Sequence, residues 1–287
     1  SQLDPQSAAD VLRALTRLND ALDLTVVLAE QRLERVLPFA DTLVDIPGPG
    51  ESVTVGDPRS VLERMTQVPP LVALGKTLDW SPLPLTTAEG RDFADKLSVQ
   101  PARSLDRPER GAPPILRVDA VEVAYGSKVA VRDADLALRP GEIVTLMGRN
   151  GSGKTTLLRA MVGLTRPRKG HITLDGEDIA GMDTAEICRD VGYLPQDPNA
   201  LLFAETVREE VAVTLDNHGL NADAVPIPPE VLLARLHLTS KAEAYPRDLS
   251  AGERQRTALA AMMITHPRVI LLDEPTRGLD YRSKQGL

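Results

Sequence analysis

The sequence predicts an α/β fold built around one glycine-rich loop, and three observations lead to that class. An apolar run at 142–147, typical of a buried strand, leads directly into the loop at 148–156, and a helical pattern follows at 157–162. Short apolar runs alternate with helical patterns along much of the chain. Another apolar run, at 268–272, ends in two adjacent acidic residues.

The composition narrows the class of protein further. A length of 287 residues suggests about two domains, and a hydrophobic content of 42% is ordinary for a globular chain. The net charge of −8 disfavours sequence-independent nucleic-acid binding, which needs a basic surface. Cys188 has no second cysteine to pair with in this chain. The longest apolar runs are far too short to span a bilayer.

Residues 1–45 have the pattern of the closing part of an α/β domain. Ser7 is placed to cap a helix, and the run 24–29 predicts a buried strand. Residues 43–46 predict another strand. The apolar positions of the helix recur at helical spacing, at Val11, Leu12, Leu15, Leu18 and Leu22.

The stretch that follows changes in composition. Residues 51–55 alternate as a strand, and Asp57–Pro58 is a typical helix start. Residues 68–100 are rich in proline and leucine and predict a small appended subdomain with a helix within 87–97, or alternatively an ordered linker. Four prolines alternate with charged residues at 101–114, where no hydrophobic period survives, which favours a linker.

A second α/β unit is expected from residue 115 onward. Its elements are predicted as an antiparallel strand pair at 116–124 and 134–138, the strand, loop and helix at 142–162 with Gly163 as C-cap, strands at 171–174 and 190–194, a turn at Asp175–Gly176, a loop at 217–229, a helix at 251–265 and a strand at 268–272.

The glycine-rich loop fits the pattern G-x-x-x-x-G-K-[ST] of a phosphate-binding P-loop. Small residues let backbone N–H groups turn toward phosphate oxygens, Lys154 can reach the β- and γ-phosphates, and the Thr155 hydroxyl can ligate Mg²⁺. A helix that starts near Gly153 adds its positive end. The candidate nucleotide-binding residues here are Gly148, Asn150, Gly151, Ser152, Gly153, Lys154, Thr155 and Thr156.

The acidic pair at the end of the last strand completes a catalytic set. Asp273 ends an apolar strand, as a Walker-B acid does, and would place its carboxylate beside the Mg²⁺ held by Thr155. Glu274 follows it and can approach an attacking water as general base.

The ordered motifs of residues 115–287 resemble those of ATP-binding-cassette (ABC) ATPases. Residues 249–256, Leu-Ser-Ala-Gly-Glu-Arg-Gln-Arg, are similar to the signature motif of that family. The other matching positions are an A-loop aromatic at Tyr125, a Q-loop at Gln196 and a D-loop at 278–280 with Asp280. The resemblance implies a P-loop NTPase cassette with a mixed core sheet, an antiparallel β subdomain and a helical signature subdomain.

The resemblance also implies a role for each motif. Tyr125 would stack on adenine, and Gln196 would touch Mg²⁺ or the lytic water and couple to a membrane partner. Ser250, Ala251, Gly252 and Glu253 would face the γ-phosphate bound to an opposite cassette, since a helix N-terminus with a Ser hydroxyl suits an anion. Ala251 and Glu253 depart from the common L-S-G-G-Q, and we expect weakened or altered stimulation from them.

Residues 195–211 resemble the energy-coupling-factor (ECF) branch, the ATPases of vitamin and cobalt or nickel importers. That likeness implies that Gln196–Val211 docks an integral-membrane coupling protein, while a separate membrane subunit binds the substrate. ATP and Mg²⁺ are the implied ligands, and no nucleic acid is expected. The implied location is peripheral, at the cytoplasmic face of a bacterial-type plasma membrane.

The first hundred residues resemble the end of another cassette of the same kind. Asp4 would belong to its D-loop, and Gln31 would stand at its switch-histidine position. The chain is therefore expected to be a fragment of a two-cassette protein, which alone binds ATP with little hydrolysis. The expected parts are the end of the first cassette at 1–47, an ECF-type C-terminal extension at 48–100, a linker at 101–114 and a second cassette at 115–287, truncated before its switch histidine.

Two further expectations remain open at the level of the sequence. Glutamine can hydrogen-bond a γ-phosphate but cannot carry a proton, so the site holding Gln31 and the altered signature is expected to be the weaker hydrolase. The rival hypothesis is a soluble twin-cassette ATPase that acts on ribosomes or nucleic acid. Such proteins usually carry a long charged helical linker, whereas residues 66–114 are proline-rich and not strongly basic.

Overall fold

A computed structural model describes residues 5–30, 32–48, 50–98, 111–223 and 225–276. These described residues form two compact units, one within 5–98 and the other within 111–276. The predictions for Asp4, Gln31 and Asp280 fall outside them. No helix in the described ranges is long and apolar enough to cross a membrane.

The first unit is mainly helical with one short hairpin. Its elements are α1 (Pro5–Leu22), α2 (Leu33–Val36), β1 (Leu43–Asp45), β2 (Thr54–Gly56), α3 (Pro58–Arg64), α4 (Pro70–Thr77) and α5 (Thr87–Ala94). The strands β1 and β2 pair antiparallel, and Asp57 caps α3 by accepting the Ser60 backbone N–H at 3.1 Å, as the Asp57–Pro58 pattern predicts. One hydrophobic cluster joins β1, α3, α4 and the residues after α2 and α4 through Leu37, Leu43, Val61, Leu62, Val72 and Leu83.

Two expectations for the start of this unit are wrong. Helix α1 begins at Pro5, so Ser7 lies inside the helix and cannot be its N-cap. Proline suits a first helical position because it has no N–H to leave unsatisfied. Residues 24–29 form no strand but an irregular, exposed segment, with Val27 93% exposed. Its residues favour a β-strand, but no described strand lies beside the segment to form hydrogen bonds with it.

The second unit combines two sheets with helices. Its elements are β3 (Leu116–Tyr125), β4 (Lys128–Leu138), α6 (Lys154–Met161), β5 (Lys169–Leu174), β6 (Glu177–Asp178), α7 (Thr184–Asp190), β7 (Val191–Leu194), α8 (Val207–Asn217), α9 (Pro229–Arg235), α10 (Ala251–Met263) and β8 (Val269–Leu272). The antiparallel sheet has the order β4-β3-β5-β6, and β7 pairs parallel with β8. This mixture of parallel and antiparallel strands with helices confirms the predicted α/β class.

Two hydrophobic clusters hold the second unit together. The first joins the inner faces of β3 and β5 to α6 and to the strands β7 and β8. The second is helical and joins α8, α9 and α10. The strands of the first cluster end near the loop at 148–156, and the helical cluster presents the N-terminus of α10, so the two cores position separate motifs.

The strand predicted at 142–147 is absent. This segment is irregular, and most of its side chains are exposed, with Ile143 96% and Met147 89% exposed, while Leu146 packs against the first hydrophobic cluster. A strand is stabilised by neighbours on its edges, and no described strand pairs with this one. The prediction of a buried strand leading into the loop is therefore wrong for the described structure, although the helix that leaves the loop is present as α6.

Candidate functional site

Helix α6 begins at Lys154, within the segment 148–156, and Gly153 is the last residue before the helix. Gly153 has a left-handed backbone (φ 96°) and is the N-cap of α6. A Cβ at this position would lie 2.4 Å from the carbonyl oxygen of Ala130. Only glycine therefore combines this conformation with so close an approach to β4. The C-cap of α6 is Val162, one residue before the predicted Gly163, and Gly163 follows it with the left-handed backbone (φ 74°) that is common just after a helix.

Lys154 folds back over the loop that precedes it. Its Nζ donates hydrogen bonds to the carbonyl oxygens of Gly148, at 2.9 Å, and Arg149, at 3.0 Å. These carbonyls are weak substitutes for an anion, because a charged acceptor binds an ammonium about twice as strongly. Lys154 is thus held beside the loop by two neutral acceptors, and neither of these two bonds neutralises its positive charge.

A cavity of about 380 Å³ brings most of the predicted site together. Tyr125, at the end of β3, lines one part of it, and Gln196 and Glu274 line another. Of the predicted residues, Gly148, Ser152 and Asp273 do not line it, nor do the four signature positions. The remaining lining residues are Lys128, Val129, Ala130, Asn150, Gly151, Gly153, Lys154, Thr155 and Thr156.

Lys128, Val129 and Ala130 were not among the residues expected from the sequence. They are the first three residues of β4, directly after the turn of the β3–β4 hairpin, whose register pairs Tyr125 with Lys128. The second strand of the hairpin is predicted only at 134–138, whereas β4 begins at Lys128, so the prediction does not include these three residues. The signal that could have found them is the Gly126-Ser127 pair, which is typical of a tight turn directly after Tyr125.

Gln196 and Glu274 meet directly although 78 residues separate them. The Gln196 side-chain amide donates to Glu274 Oε2 at 2.9 Å. Glu274 has a left-handed backbone (φ 49°), which is uncommon for a residue other than glycine. Strands β7 and β8 run parallel in register, so the residues after their ends meet at one edge of the sheet.

Asp273 lies under this pair and is almost inaccessible. It is 2% exposed, its backbone N–H donates to the Leu194 carbonyl, and its Oδ2 has no hydrogen-bond partner within the described part of the chain. Tyr193 lies close by. Burial first, and then the charge of Asp273, raise the pKa of Tyr193 to about 12. A buried carboxylate oxygen without a hydrogen-bond partner is a group that a bound cation can satisfy.

The residues present therefore fit Mg²⁺ and a nucleotide phosphate. A carboxylate oxygen without a partner, a lysine ammonium and a glycine cradle are the donor set that such a ligand needs. No cluster of three or more His, Cys, Asp or Glu side chains suited to a metal occurs among the described residues. A metal here would thus depend on Asp273 and on the oxygens of Thr155 and of the phosphates.

The signature segment, residues 249–253, opens α10. Ser250 is the N-cap, and it forms a capping box with Glu253. The Glu253 backbone N–H donates to Ser250 Oγ at 3.3 Å, and Glu253 Oε2 accepts the Ser250 N–H at 2.8 Å. These bonds to Ser250, with smaller contributions from Lys241 and Arg256, lower the pKa of Glu253.

Residues 196–211, for which docking of a membrane partner is expected and which are called the docking segment below, form a short 3-10 turn at Pro198–Leu201 and then enter α8. Glu210 is 3% exposed and accepts the backbone N–H groups of Phe203 and Ala204, both at 2.8 Å. The loop is thereby tied to α8 while the Phe203 side chain stays 78% exposed.

Comparison with known proteins agrees with this geometry. The family model described as ABC transporter matches residues 131–277. A protein of Streptomyces avermitilis, named as an ABC transporter ATP-binding protein, is 40% identical over 99% of this chain and 55% of its own length. One of Clostridium tetani with the same description is 35% identical over the whole chain and 65% of its own length. The chain thus spans little more than half to two thirds of these relatives.

Solved structures agree in fold. One match is the CbiO1 protein of Clostridium perfringens, which is described as part of the ABC transporter complex CbiONQ. The two chains are 28% identical, and the superposition covers 60% of this chain and 70% of CbiO1 with a TM-score of 0.54. An ATP-bound bacterial exporter of the Atm1 family, 24% identical with a TM-score of 0.53, shares the fold. Because the family model matches residues 131–277 and the Streptomyces avermitilis and Clostridium tetani relatives match nearly the whole chain, this chain belongs to the ATP-binding proteins of the ABC transporter family.

Proposed function

We propose that the full protein is the ATP-binding and ATP-hydrolysing subunit of an ECF-type importer for a vitamin or a transition-metal ion. The observation that carries the proposal is the cavity in which Lys154, Gln196 and Glu274 converge with Tyr125. The second observation is the docking segment, whose fixed loop presents Phe203 to solvent. The likeness to CbiO1, a part of a transporter complex, supports the same class of assembly.

The chemistry proposed for the site is phosphoryl transfer to water. Tyr125, half exposed at the cavity wall, would stack on adenine. Lys154 would exchange its two loop carbonyls for β- and γ-phosphate oxygens, and the backbone of 148–156 would surround them. Mg²⁺, held by Thr155 and Asp273, would supply charge neutralisation for the phosphates. Catalysis by such a site is mostly positioning and electrostatic stabilisation.

Glu274 is the proposed general base. Its carboxylate faces the cavity and accepts from the Gln196 amide, so Gln196 holds it in place and is the candidate to orient the attacking water. Because Gln196 opens the docking segment, a partner bound at 196–211 could shift this amide and change the position of the base. This gives a direct physical link between docking and hydrolysis.

The proposed assembly has three kinds of partner. An integral-membrane coupling protein would bind at Gln196–Val211, a separate membrane subunit would bind the substrate, and a second cassette in the full-length protein would complete each site. Residues 1–47 would be the end of that other cassette, 48–100 an extension and 115–287 the second cassette. The protein would be located at the cytoplasmic face of the membrane.

Substitution of Glu274 tests the proposed base. In the full-length protein, Glu274→Gln should abolish ATP turnover while ATP binding is retained, because the amide keeps the shape but cannot accept the proton. The matched control is the same substitution of the corresponding acid in the other cassette. If turnover survives Glu274→Gln and is lost with the control, the assignment of the working site is wrong.

Co-purification tests the proposed partner. The full-length protein should be recovered from membranes with an integral-membrane protein, and replacing Phe203 with Ser should reduce that recovery because the exposed ring is lost. Recovery with ribosomes instead would support the twin-cassette rival. The net charge of −8 gives that rival little electrostatic support.

A further inference from the structure

Glu253 places a carboxylate at the N-terminal turn of α10, where the proposed function brings a phosphate. The carboxylate is folded back onto its own helix cap, since Oε2 accepts the Ser250 backbone N–H at 2.8 Å. The Thr257 hydroxyl also donates to the Glu253 backbone carbonyl at 2.9 Å. The pKa of Glu253 is lowered, so the group is negative at neutral pH. A second anion at this end of α10 therefore meets repulsion.

The other carboxylate oxygen of Glu253 faces a lysine from a different part of the chain. Lys241 Nζ lies 3.7 Å from Glu253 Oε1. Lys241 ends the 3-10 turn Thr239–Lys241, and its backbone is fixed, because its N–H donates to the Leu238 carbonyl and its carbonyl accepts from Ala244, both at 2.9 Å. Leu238 is fully buried in the helical core, so the turn presents the ammonium from a rigid base.

The other cations near this end of α10 are engaged differently. Arg254 donates from Nη1 to the Arg247 carbonyl, and Arg256 affects Glu253 less than Lys241 does. Lys241 is thus the charge that directly pairs with the carboxylate. The positive charge of Lys241 offsets the negative charge of Glu253. The net charge at the N-terminus of α10 is therefore close to the charge that a neutral glutamine at position 253 would give.

We propose that Lys241 is a positioning residue for the signature segment: it holds the Glu253 carboxylate in the capping box and offsets its charge, so that the N-terminus of α10 accepts a nucleotide phosphate. This inference rests on the proposed function, because it takes the signature segment to face a nucleotide. The proposal makes Lys241 and Glu253 one unit, in which the lysine is needed only because the glutamate is present.

A double-mutant cycle in the full-length protein tests this dependence. Mg-ATP binding is measured by calorimetric titration in a Lys154→Met background, so that the site completed by α10 is observed, without further change and with Lys241→Met, Glu253→Gln or both. Lys241→Met should raise the Kd for Mg-ATP about two- to fivefold, the range of one partly exposed ion pair. The same substitution should have no effect in the Glu253→Gln background, and Lys241→Arg should behave as the wild type.

Two further measurements separate electrostatics from structure. The effect of Lys241→Met should shrink as the salt concentration rises from about 0.05 M to 0.5 M, because screening weakens exposed charges. Lys169→Met, which removes an ammonium 3.6 Å from Glu122 on the antiparallel sheet, is the matched control and should leave the Kd for Mg-ATP unchanged in the same background. If Lys241→Met melts earlier than the wild type by circular dichroism, Lys241→Gln takes its place in the cycle.

The outcomes are distinct. An equal effect of Lys241→Met with and without Glu253, or an effect that salt does not change, overturns the role of Lys241 and leaves the proposed function standing. A wild-type protein that hydrolyses no ATP overturns the proposed function and this inference with it.

Discussion

Gly153 is the single residue on which the geometry of the phosphate loop depends most. Its φ of 96° lies in the left-handed region, and a Cβ would lie 2.4 Å from the Ala130 carbonyl oxygen. Gly151 also has a positive φ, 77°, but a Cβ there meets no atom within 4 Å. A side chain at position 151 would therefore meet only backbone strain, whereas a side chain at position 153 would meet both backbone strain and steric overlap.

Replacing each glycine with alanine should therefore give different losses. Gly151→Ala should lower the free energy of unfolding by about 1 kcal/mol, the cost of a left-handed alanine. Gly153→Ala should cost about 1–3 kcal/mol more, because β4 must also move. Urea unfolding of the two variants measures the difference, and equal losses would show that the contact with Ala130 relaxes freely.

Glu253 predicts a dependence of stability on pH. Its pKa is lowered in the folded protein, chiefly by the hydrogen bonds of Ser250, so its contribution is present above the unfolded pKa of about 4.3 and is lost as the pH falls through the folded value. The unfolding free energy of the wild type should therefore fall more steeply below pH 4.3 than that of Glu253→Gln. Parallel curves for the two proteins would contradict the lowered pKa.

At the scale of elements, the docking segment depends on one buried carboxylate. Glu210 ties the 202–206 loop to α8 through two backbone N–H groups and is itself 3% exposed. Thr206 caps the same helix through a capping box with Glu209. The loop is thus fixed at both its ends by side chains of the first turn of α8.

Glu210→Ala should leave two part-buried N–H groups without an acceptor and cost about 1–2 kcal/mol. Glu210→Gln keeps an oxygen of similar geometry and is the matched control, with a smaller loss. Thermal unfolding gives the stabilities, and hydrogen exchange at Phe203 and Ala204 shows whether the loop has opened. Unchanged exchange in Glu210→Ala would show that the loop does not need this acceptor.

Local patterns predicted some elements well and others badly, and the difference has a physical cause. The cap at Asp57 and the turn at Asp175–Gly176 depend on neighbours within three residues, so the sequence was enough for them. The runs at 24–29 and 142–147 have strand composition, yet each needs a partner strand that composition does not supply.

The candidate site shows the same division. The loop at 148–156 and the acidic pair at 273–274 are contiguous motifs, and the sequence located them. The bond from Gln196 to Glu274 and the burial of Asp273 beside Tyr193 depend on the parallel pairing of β7 and β8. The pairing of Lys241 with Glu253 depends on the packing of the helical core. These contacts required the fold.

At the scale of the whole molecule, the cavity lies within residues 125–274, inside one of the two compact units. A ligand that binds only the folded state stabilises it by about 2.7 kcal/mol at a hundredfold excess over Kd. Mg-ATP should therefore slow hydrogen exchange at 148–161 and 194–196, and leave exchange at 43–85 unchanged. Protection by Mg-ATP confined to 43–85 would place the nucleotide in the wrong unit.

The central claim is that the loop at 148–156 binds the phosphates of ATP through Lys154, and calorimetric titration with Mg-ATP tests it most directly. Lys154→Met should weaken binding about tenfold or more, because a charge-assisted bond to phosphate is lost, while Lys169→Met should bind as the wild type does. An unchanged affinity in Lys154→Met would contradict the account.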